Sequence, residues 1–317
     1  MVDVKVMLHF LSGERAELKN IRSVELNRES DAACDGLRIY FFSKNMYDEI
    51  VDIEVYIDEK KVFFGYVDTQ REEIDRQGGI SFIYARSSAC VLTDIEAKPT
   101  VLNYPSARFL FDYYIKKYGF TLDMNDLYGD GRYTVSKGTS LFGVLNDFVF
   151  SVSGKHIYIT PDNEIRLLEE GGNRYITDSP FYEKRIINRG DALAYINYKV
   201  SSGDNYNRCH KEENISAKGI TRSVVKNLSG IEQWQREKAL LDVMKKANKN
   251  YLTYELRFYD YLPLNLYDKV YFRFNFDVMI NAALVSGITY VVNENGIQTR
   301  MKLEVPIESR ETDYVDE

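Results

Sequence analysis

The sequence predicts a mainly β protein with an α+β insert, in which two antiparallel β-barrel-like units flank a small mixed α/β unit. Three observations carry this. Tyr occurs 25 times and Phe 17 times beside a single Trp, and such rings fit pleated, half-buried surfaces. Short strands recur at 8–12-residue spacing in residues 1–97, the pattern of barrels and sandwiches, and alternating segments return in the final third. Between them, residues 98–175 switch to helical spacing.

The first unit, residues 1–97, opens with Val2, Val4, Val6, Leu8 and Phe10 on one face and Asp3, Lys5, Met7 and His9 on the other, an alternation that only a strand explains. Further strands are expected at Ile21 to Arg28, Gly36 to Ser43, Asp52 to Ile57, Val62 to Thr69 and Ile80 to Ala85. Asp58-Glu59-Lys60 and Gln77-Gly78-Gly79 supply turns.

At Pro99 the texture changes. Asn103-Tyr104-Pro105-Ser106 signals a helix start, and Ala107, Leu110, Phe111, Tyr114, Ile115 and Tyr118 recur at helical spacing until Gly119. A second helix begins at Thr139-Ser140, carries Leu141, Val144, Leu145, Phe148 and Val149 on one face and ends near Gly154. A hairpin follows, from His156 to Leu168, turning at Pro161-Asp162-Asn163.

The second β unit, residues 176–306, is expected to recruit Asp191 to Val200 as its first strand. Ser201 to Leu228 reads as a long loop, because Gly203, Asp204, Asn205 and Asn207 break any period. Ser229-x-x-Glu232 has the form of a capping box and opens a helix, residues 229–248, through Trp234, Leu240, Val243, Met244 and Ala247. Strands Leu252 to Phe258 and Val270 to Phe276 follow, then a hairpin from Leu284 to Val292 and Ile297 to Val305 across Asn293-Glu294-Asn295-Gly296. Residues 307–317 form an acidic tail.

Charge and cysteines exclude several classes of function. Lys+Arg 41 against Asp+Glu 48 leaves a formal net charge of −7, against the basic excess that a dedicated nucleic-acid binder needs. Cys34, Cys90 and Cys209 are odd in number and far apart in sequence, which fits neither a disulfide framework nor a structural zinc site. The start, Met1-Val2-Asp3-Val4-Lys5, places charges where an export signal needs apolar residues, and no apolar run is long enough for a membrane helix. Folding in a bacterial cytoplasm is expected, without membrane insertion.

Catalytic patterns are sparse. No phosphate-binding glycine loop, dinucleotide fingerprint or H-E-x-x-H occurs. His9 falls on a strand's polar face, His156 at a hairpin start and His210 in a polar stretch, none beside a nucleophile motif. Cys209-His210 is the one Cys/His neighbour pair, and a loop coincidence is preferred over a reactive dyad. Asp123-x-Asn125-Asp126 with Gly129-Asp130-Gly131 offers oxygen ligands of the kind calcium takes, but without EF-hand spacing or its terminal Glu. A turn-rich loop is the simpler account. The aromatic rows Phe272, Phe274, Phe276 and Tyr254, Phe258 are at strand spacing and read as core rather than as a stacking platform. No cofactor, metal or catalytic residue is expected.

Several phrases, taken in order, resemble the baseplate hub proteins of contractile tails, the family of late control protein D and XkdQ-like proteins of myophages and R-type bacteriocins. Gly65-Tyr66-Val67-Asp68 ends a hairpin, and Ile83 to Asp94 is similar to the family's Gly-Arg-Ser-x-x-x-Leu-Leu-Asp, with Ala85 in place of the Gly. Pro105-Ser106-Ala107, Lys137-Gly138-Thr139-Ser140-Leu141-Phe142 and the Ile157 to Leu168 hairpin follow. Last come Leu262-Pro263-Leu264, Asp268-Lys269-Val270 and Gly287 to Val292, with Tyr267 where the family often has Gly.

The resemblance covers residues 1–306 and implies a structural hub without catalysis. Such hubs trimerise, and two barrel-like, tube-forming units per chain make a pseudo-sixfold ring that adapts a hexameric tail tube to a trimeric spike. The implied partners are a homotrimer, the tail tube protein, the central spike and the baseplate wedge proteins, in a virion or a headless bacteriocin. DNA would at most pass through the lumen, and three chains carrying roughly −21 would let it pass without sticking. Because barrel edges in such rings stay open to neighbouring subunits, Val2, Val4, Val6, Val270, Phe272 and Phe274 become interface candidates. A carbohydrate-binding β-rich surface protein and a cell-wall hydrolase are the competing readings.

Overall fold

The computed structural model describes residues 3–169, 171–274 and 278–306. Val2, Phe276 and the tail, residues 307–317, lie outside them. The first strands are β1 (Val4–Phe10), β2 (Arg15–Glu17), β3 (Ile21–Glu29), β4 (Gly36–Ser43), β5 (Ile50–Ile57), β6 (Lys60–Asp75) and β7 (Gly78–Ser87). The middle stretch holds α1 (Cys90–Asp94), β8 (Thr100–Asn103), α2 (Ala107–Leu110), β9 (Thr121–Leu122), β10 (Arg132–Val135), α3 (Leu141–Ser153), β11 (Ile157–Ile159) and β12 (Glu164–Leu167). Next come β13 (Asn173–Ile176), β14 (Tyr182–Ile187), β15 (Tyr195–Lys199), β16 (Arg208–Lys211), α4 (Glu213–Ser216), β17 (Ser223–Asn227) and α5 (Gln233–Asn248). The chain closes with β18 (Leu252–Phe258), β19 (Lys269–Phe274), β20 (Val278–Asn293) and β21 (Gly296–Glu304).

The protein is mainly β, and its large sheet is open rather than closed into barrels. Among the described residues the sheet has 13 strands, running β14-β18-β21-β20-β3-β4-β7-β6-β5-β1-β2, with β19 and β13 attached beside β20. The 16-residue β20 is the reason the two ends of the chain merge. Its first part pairs with β19, whereas Gly287 to Asn293 pair with Glu29 to Ser23 of β3. Across that seam Thr289 Oγ1 donates to Asn27 Oδ1 at 2.8 Å. One apolar core runs under both halves, from Leu8, Leu26, Ile39 and Phe41 to Tyr254, Ile288 and Leu303.

The middle stretch has its own core, centred on Leu110, Ile115, Val144, Leu145, Phe148 and Ile165. The helix expected from Ala107 is continuous to Tyr118, but passes from α-helical through π to 3₁₀ turns before Gly119 stops it at φ 84°. Ser140 caps α3 by accepting from Gly143 N at 3.1 Å, and Gly154 ends it at φ 74°.

Three local expectations are corrected. The capping box does not form: α5 starts at Gln233 with Glu232 at its N-cap and no side-chain cap bond. Glu232 instead pairs with Arg132 of β10 at 3.3 Å, so a tertiary partner takes the carboxylate. The supposed loop Ser201 to Leu228 contains β16, α4 and β17, and β15 pairs antiparallel with β16 and parallel with β17 in a separate three-stranded sheet. The main sheet therefore takes β14, not Asp191 to Val200, as the neighbour of β18. β16 and β17 are short and bury none of their residues, so they carry no run of alternating apolar residues to read.

The β5–β6 hairpin turns through Asp58 and Glu59 alone, at φ 46° and 64°, with Ile57 paired to Lys60. Two-residue loops with both φ values positive favour Gly at the second position, and an L-residue there costs about 1–2 kcal/mol. Gly also loses more chain entropy on folding. Glu59→Gly should therefore raise the melting temperature by about 1–2 °C, read by differential scanning calorimetry; an unchanged or lower value refutes the strain.

Candidate assembly surfaces

The residues that could do chemistry are engaged with protein groups. His9 Nδ1 sits against the Asp52 carboxylate while its Nε2 lies 3.7 Å from Glu54, so it is a half-buried member of the β1–β5 face rather than a solvated imidazole. His156 stacks on Phe150 at 4.6 Å, faces Asn146 Oδ1 at 3.1 Å, and is pushed below the usual imidazole range by burial. His210 is lowered for the same reason. The Cys209 thiol meets the backbone oxygen of His210, not its ring, and desolvation raises it above the usual thiol range, opposite to what a nucleophile needs.

In the loop from Asp123 to Gly131, Asp123 pairs with Arg166 at 2.9 Å and Asp126 accepts from Arg108 N at 2.8 Å. Gly129 and Gly131 lie under the Trp234 ring, which reaches from α5 to pack edge-on against Phe148 at 6.3 Å. Among the described residues no group of three or more His, Cys, Asp or Glu is placed to hold a metal ion.

The candidate interface residues fall mostly inside. Val6, Val270 and Phe272 are buried in the main core, and Val4 packs partly against it. Phe274 ends β19, paired with Val278. Both strands also have neighbours on each side. β1 lies between β5 and, over Met7 to His9, β2; β19 lies between β13 and β20. The strands left at the ends of the main path are β2 and β14. Tyr254 and Phe258 are core as well.

What the sequence missed is the exposed aromatic surface. Tyr104, Phe109, Tyr113 and Tyr128 stand out from the middle stretch, with Phe109 and Tyr113 stacked at 5.9 Å. Near β13 and β14, Tyr175 stacks on Tyr271 at 4.9 Å and Phe181 on Tyr259 at 3.9 Å, with Tyr175, Phe181 and Tyr259 exposed. Phe109 and Tyr113 were legible in principle: they are four residues apart and off the buried face of the helix.

The phrases that carried the family resemblance meet in space. Arg86 of β7 donates from Nη2 to Asp68 at 3.1 Å and to Asp94 at 2.8 Å, so the Arg of one phrase ties the hairpin Asp of another to the Asp that ends α1. The hydrogen bond from Arg86 holds Asp94 below the usual carboxylate range. Gly65 and Arg86 lie on neighbouring strands, in close backbone contact.

No family model and no curated protein sequence matches the chain. Solved structures do match its fold. The prophage MuSo2 43 kDa tail protein of Shewanella oneidensis superposes with a TM-score of 0.77 at 12% identity, over 96% of this chain and 98% of that one. The chain has the fold of a phage tail protein. The tail protein of Neisseria meningitidis MC58 gives 0.73 at 13% identity, over 96% of each chain. The E. coli c3393 protein, a type VI secretion component described as similar to T4 tail proteins gp27 and gp5, gives 0.55 at 9% identity, over all of this chain and 79% of that one. At these identities the tail-protein fold persists while side chains have changed almost throughout, which explains why no sequence comparison detects it. Among the described residues no helix is long and apolar enough to cross a membrane.

Proposed function

We propose that the protein is the structural baseplate hub of a contractile tail or injection particle, without catalysis of its own. The observation that carries this reading is the tail-protein fold matched over 96% of the chain. In this reading residues 1–97 and 176–306 supply the two β halves, joined through β3 and β20, around the unit at 98–175. Three chains form a pseudo-sixfold ring between a hexameric tube and a trimeric spike, with wedge proteins outside. It is made in the bacterial cytoplasm and then built into the particle.

The backbone edges left at β2 and β14, together with the exposed aromatics beside β14, are surfaces a ring could use, since uncovered edges invite pairing. The acidic balance fits a lumen that DNA traverses without binding. Sedimentation equilibrium of the purified chain, alone and with tube and spike proteins, should give a species of three chains, seen by electron microscopy as a threefold ring. A monomer under every one of these conditions, or a true sixfold ring of this chain, would overturn the proposal.

A further inference from the structure

A crevice of about 900 Å³ opens where α3, α5, the β11–β12 hairpin, Leu284 of β20 and the end of β21 come together. Glu304, the last residue of β21, lies in its wall. Across the mouth, Lys249 at the C-cap of α5 forms an ion pair with Asp31, in the turn after β3. That pair joins two points 218 residues apart in sequence.

The charges acting on Glu304 are Lys249 at the C-cap of α5, Lys302 on its own strand and Asp31 in the turn; its strand partners, Thr253 of β18 and Leu284 of β20, carry none. Tyr267, before β19, faces it as well. Further along the wall, Lys155 is paired with Glu169 and Lys246 with Asp242, so these cations have partners of their own. Lys249, Asp31 and Glu304 all line this one crevice, and Asp31 already holds Lys249. Two carboxyl groups thus compete for one ammonium.

We propose that Glu304, Lys249 and Asp31 form a proton-controlled clasp on this crevice. With Glu304 neutral, Lys249 ties α5 to the turn after β3. With Glu304 ionised, Lys249 turns inward to it, the tie to Asp31 opens, and the end of α5 is released from the turn after β3.

Burial raises Glu304 to about 7, so the change falls near neutral pH. The sign follows from that direction. A carboxyl raised above its unfolded value favours the folded, protonated form at low pH, and this contribution is lost as pH rises through the folded value. His156, also in the crevice wall, is shifted down by burial and is the same in the variant used as control.

The test is hydrogen exchange by mass spectrometry on the full chain at pH 6 and pH 8, following residues 245–249 and 30–34. Comparison with Glu304→Gln at each pH cancels the intrinsic pH dependence of exchange. The ratio of wild-type to variant rate should grow about tenfold from pH 6 to pH 8, since one pH unit across the titration corresponds to about 1.4 kcal/mol. Lys249→Met, which removes the tie, should exchange fast at both pH values. Equal wild-type and Glu304→Gln rates at both pH values, or a pH response that survives in Lys249→Met, would overturn the clasp. The outcome is independent of the oligomer, so a failed clasp leaves the hub reading untouched, and the reverse.

Discussion

Gly65→Ala should destabilise the protein by about 3 kcal/mol or more, as overpacking against an immobile backbone does. Gly65 lies in β6, paired with Ile53 of β5 on one side and Ser87 of β7 on the other. A Cβ there would fall far inside van der Waals contact with the Arg86 carbonyl oxygen, and 2.6 Å from Phe63 Cζ. The phenyl ring could swing only within a core where Phe63 is fully buried. The Arg86 carbonyl cannot retreat, because β7 is hydrogen-bonded along its far side to β4. β6 must therefore move, which breaks its ladder to β5 or β7. Urea unfolding should show a lower midpoint at unchanged slope, and a loss below about 1 kcal/mol would mean that the strand accommodates the methyl group.

Arg28→Met should cost about 3–5 kcal/mol, the penalty of leaving one member of a buried ion pair uncompensated. Arg28 is 8% exposed and donates from Nε to Asp35 at 3.1 Å, while Nη2 donates to the Val62 carbonyl. It therefore links β3, the approach to β4 and β6, beside the seam where β20 joins the first half. Removing it strands Asp35, whose carboxyl is already pushed above its usual range by burial. The double variant Arg28→Met/Asp35→Leu should recover most of the loss, because a well-packed apolar pair replaces a buried ionic one at little net cost. Chemical denaturation of the three variants decides it: a double variant no more stable than Arg28→Met would show that the guanidinium's bond to Val62, not the ion pair, is what matters.

Much of the strand content was legible because alternation reports burial directly. Gly36 to Ser43 and Leu252 to Phe258 match β4 and β18 residue for residue, since in each the alternate apolar residues face the core. The helices of the middle stretch were legible by their stops, Gly119 and Gly154, which take the positive φ that an L-residue resists. Tyr267 stands where the resembling family often has Gly, and the structure places it at φ 64°, a conformation that Gly adopts more readily than an L-residue. β13, β14, β16 and β17 were not legible, because none of their residues is buried.

The assembly surfaces were the least legible. Val6, Val270 and Phe272 alternate as any inward-facing set does, and alternation distinguishes two faces without saying what covers each. Tyr104 and Tyr128, by contrast, are exposed through loop positions that have no period at all.

By itself, then, the sequence determined the classes of element and their order: strands, a helical insert, strands again. Those follow from forces acting over a few residues, namely which side chains can share a face and which residues can turn. Only the tertiary structure decided that the two β ends form one sheet, because the β3–β20 seam joins Ser23 to Asn293 across most of the chain. Backbone pairing at that distance leaves no local pattern. The same holds for Glu232, whose carboxylate could serve a helix cap or a distant arginine, and for Glu304, whose proton affinity is set by the crevice around it rather than by its neighbours in sequence.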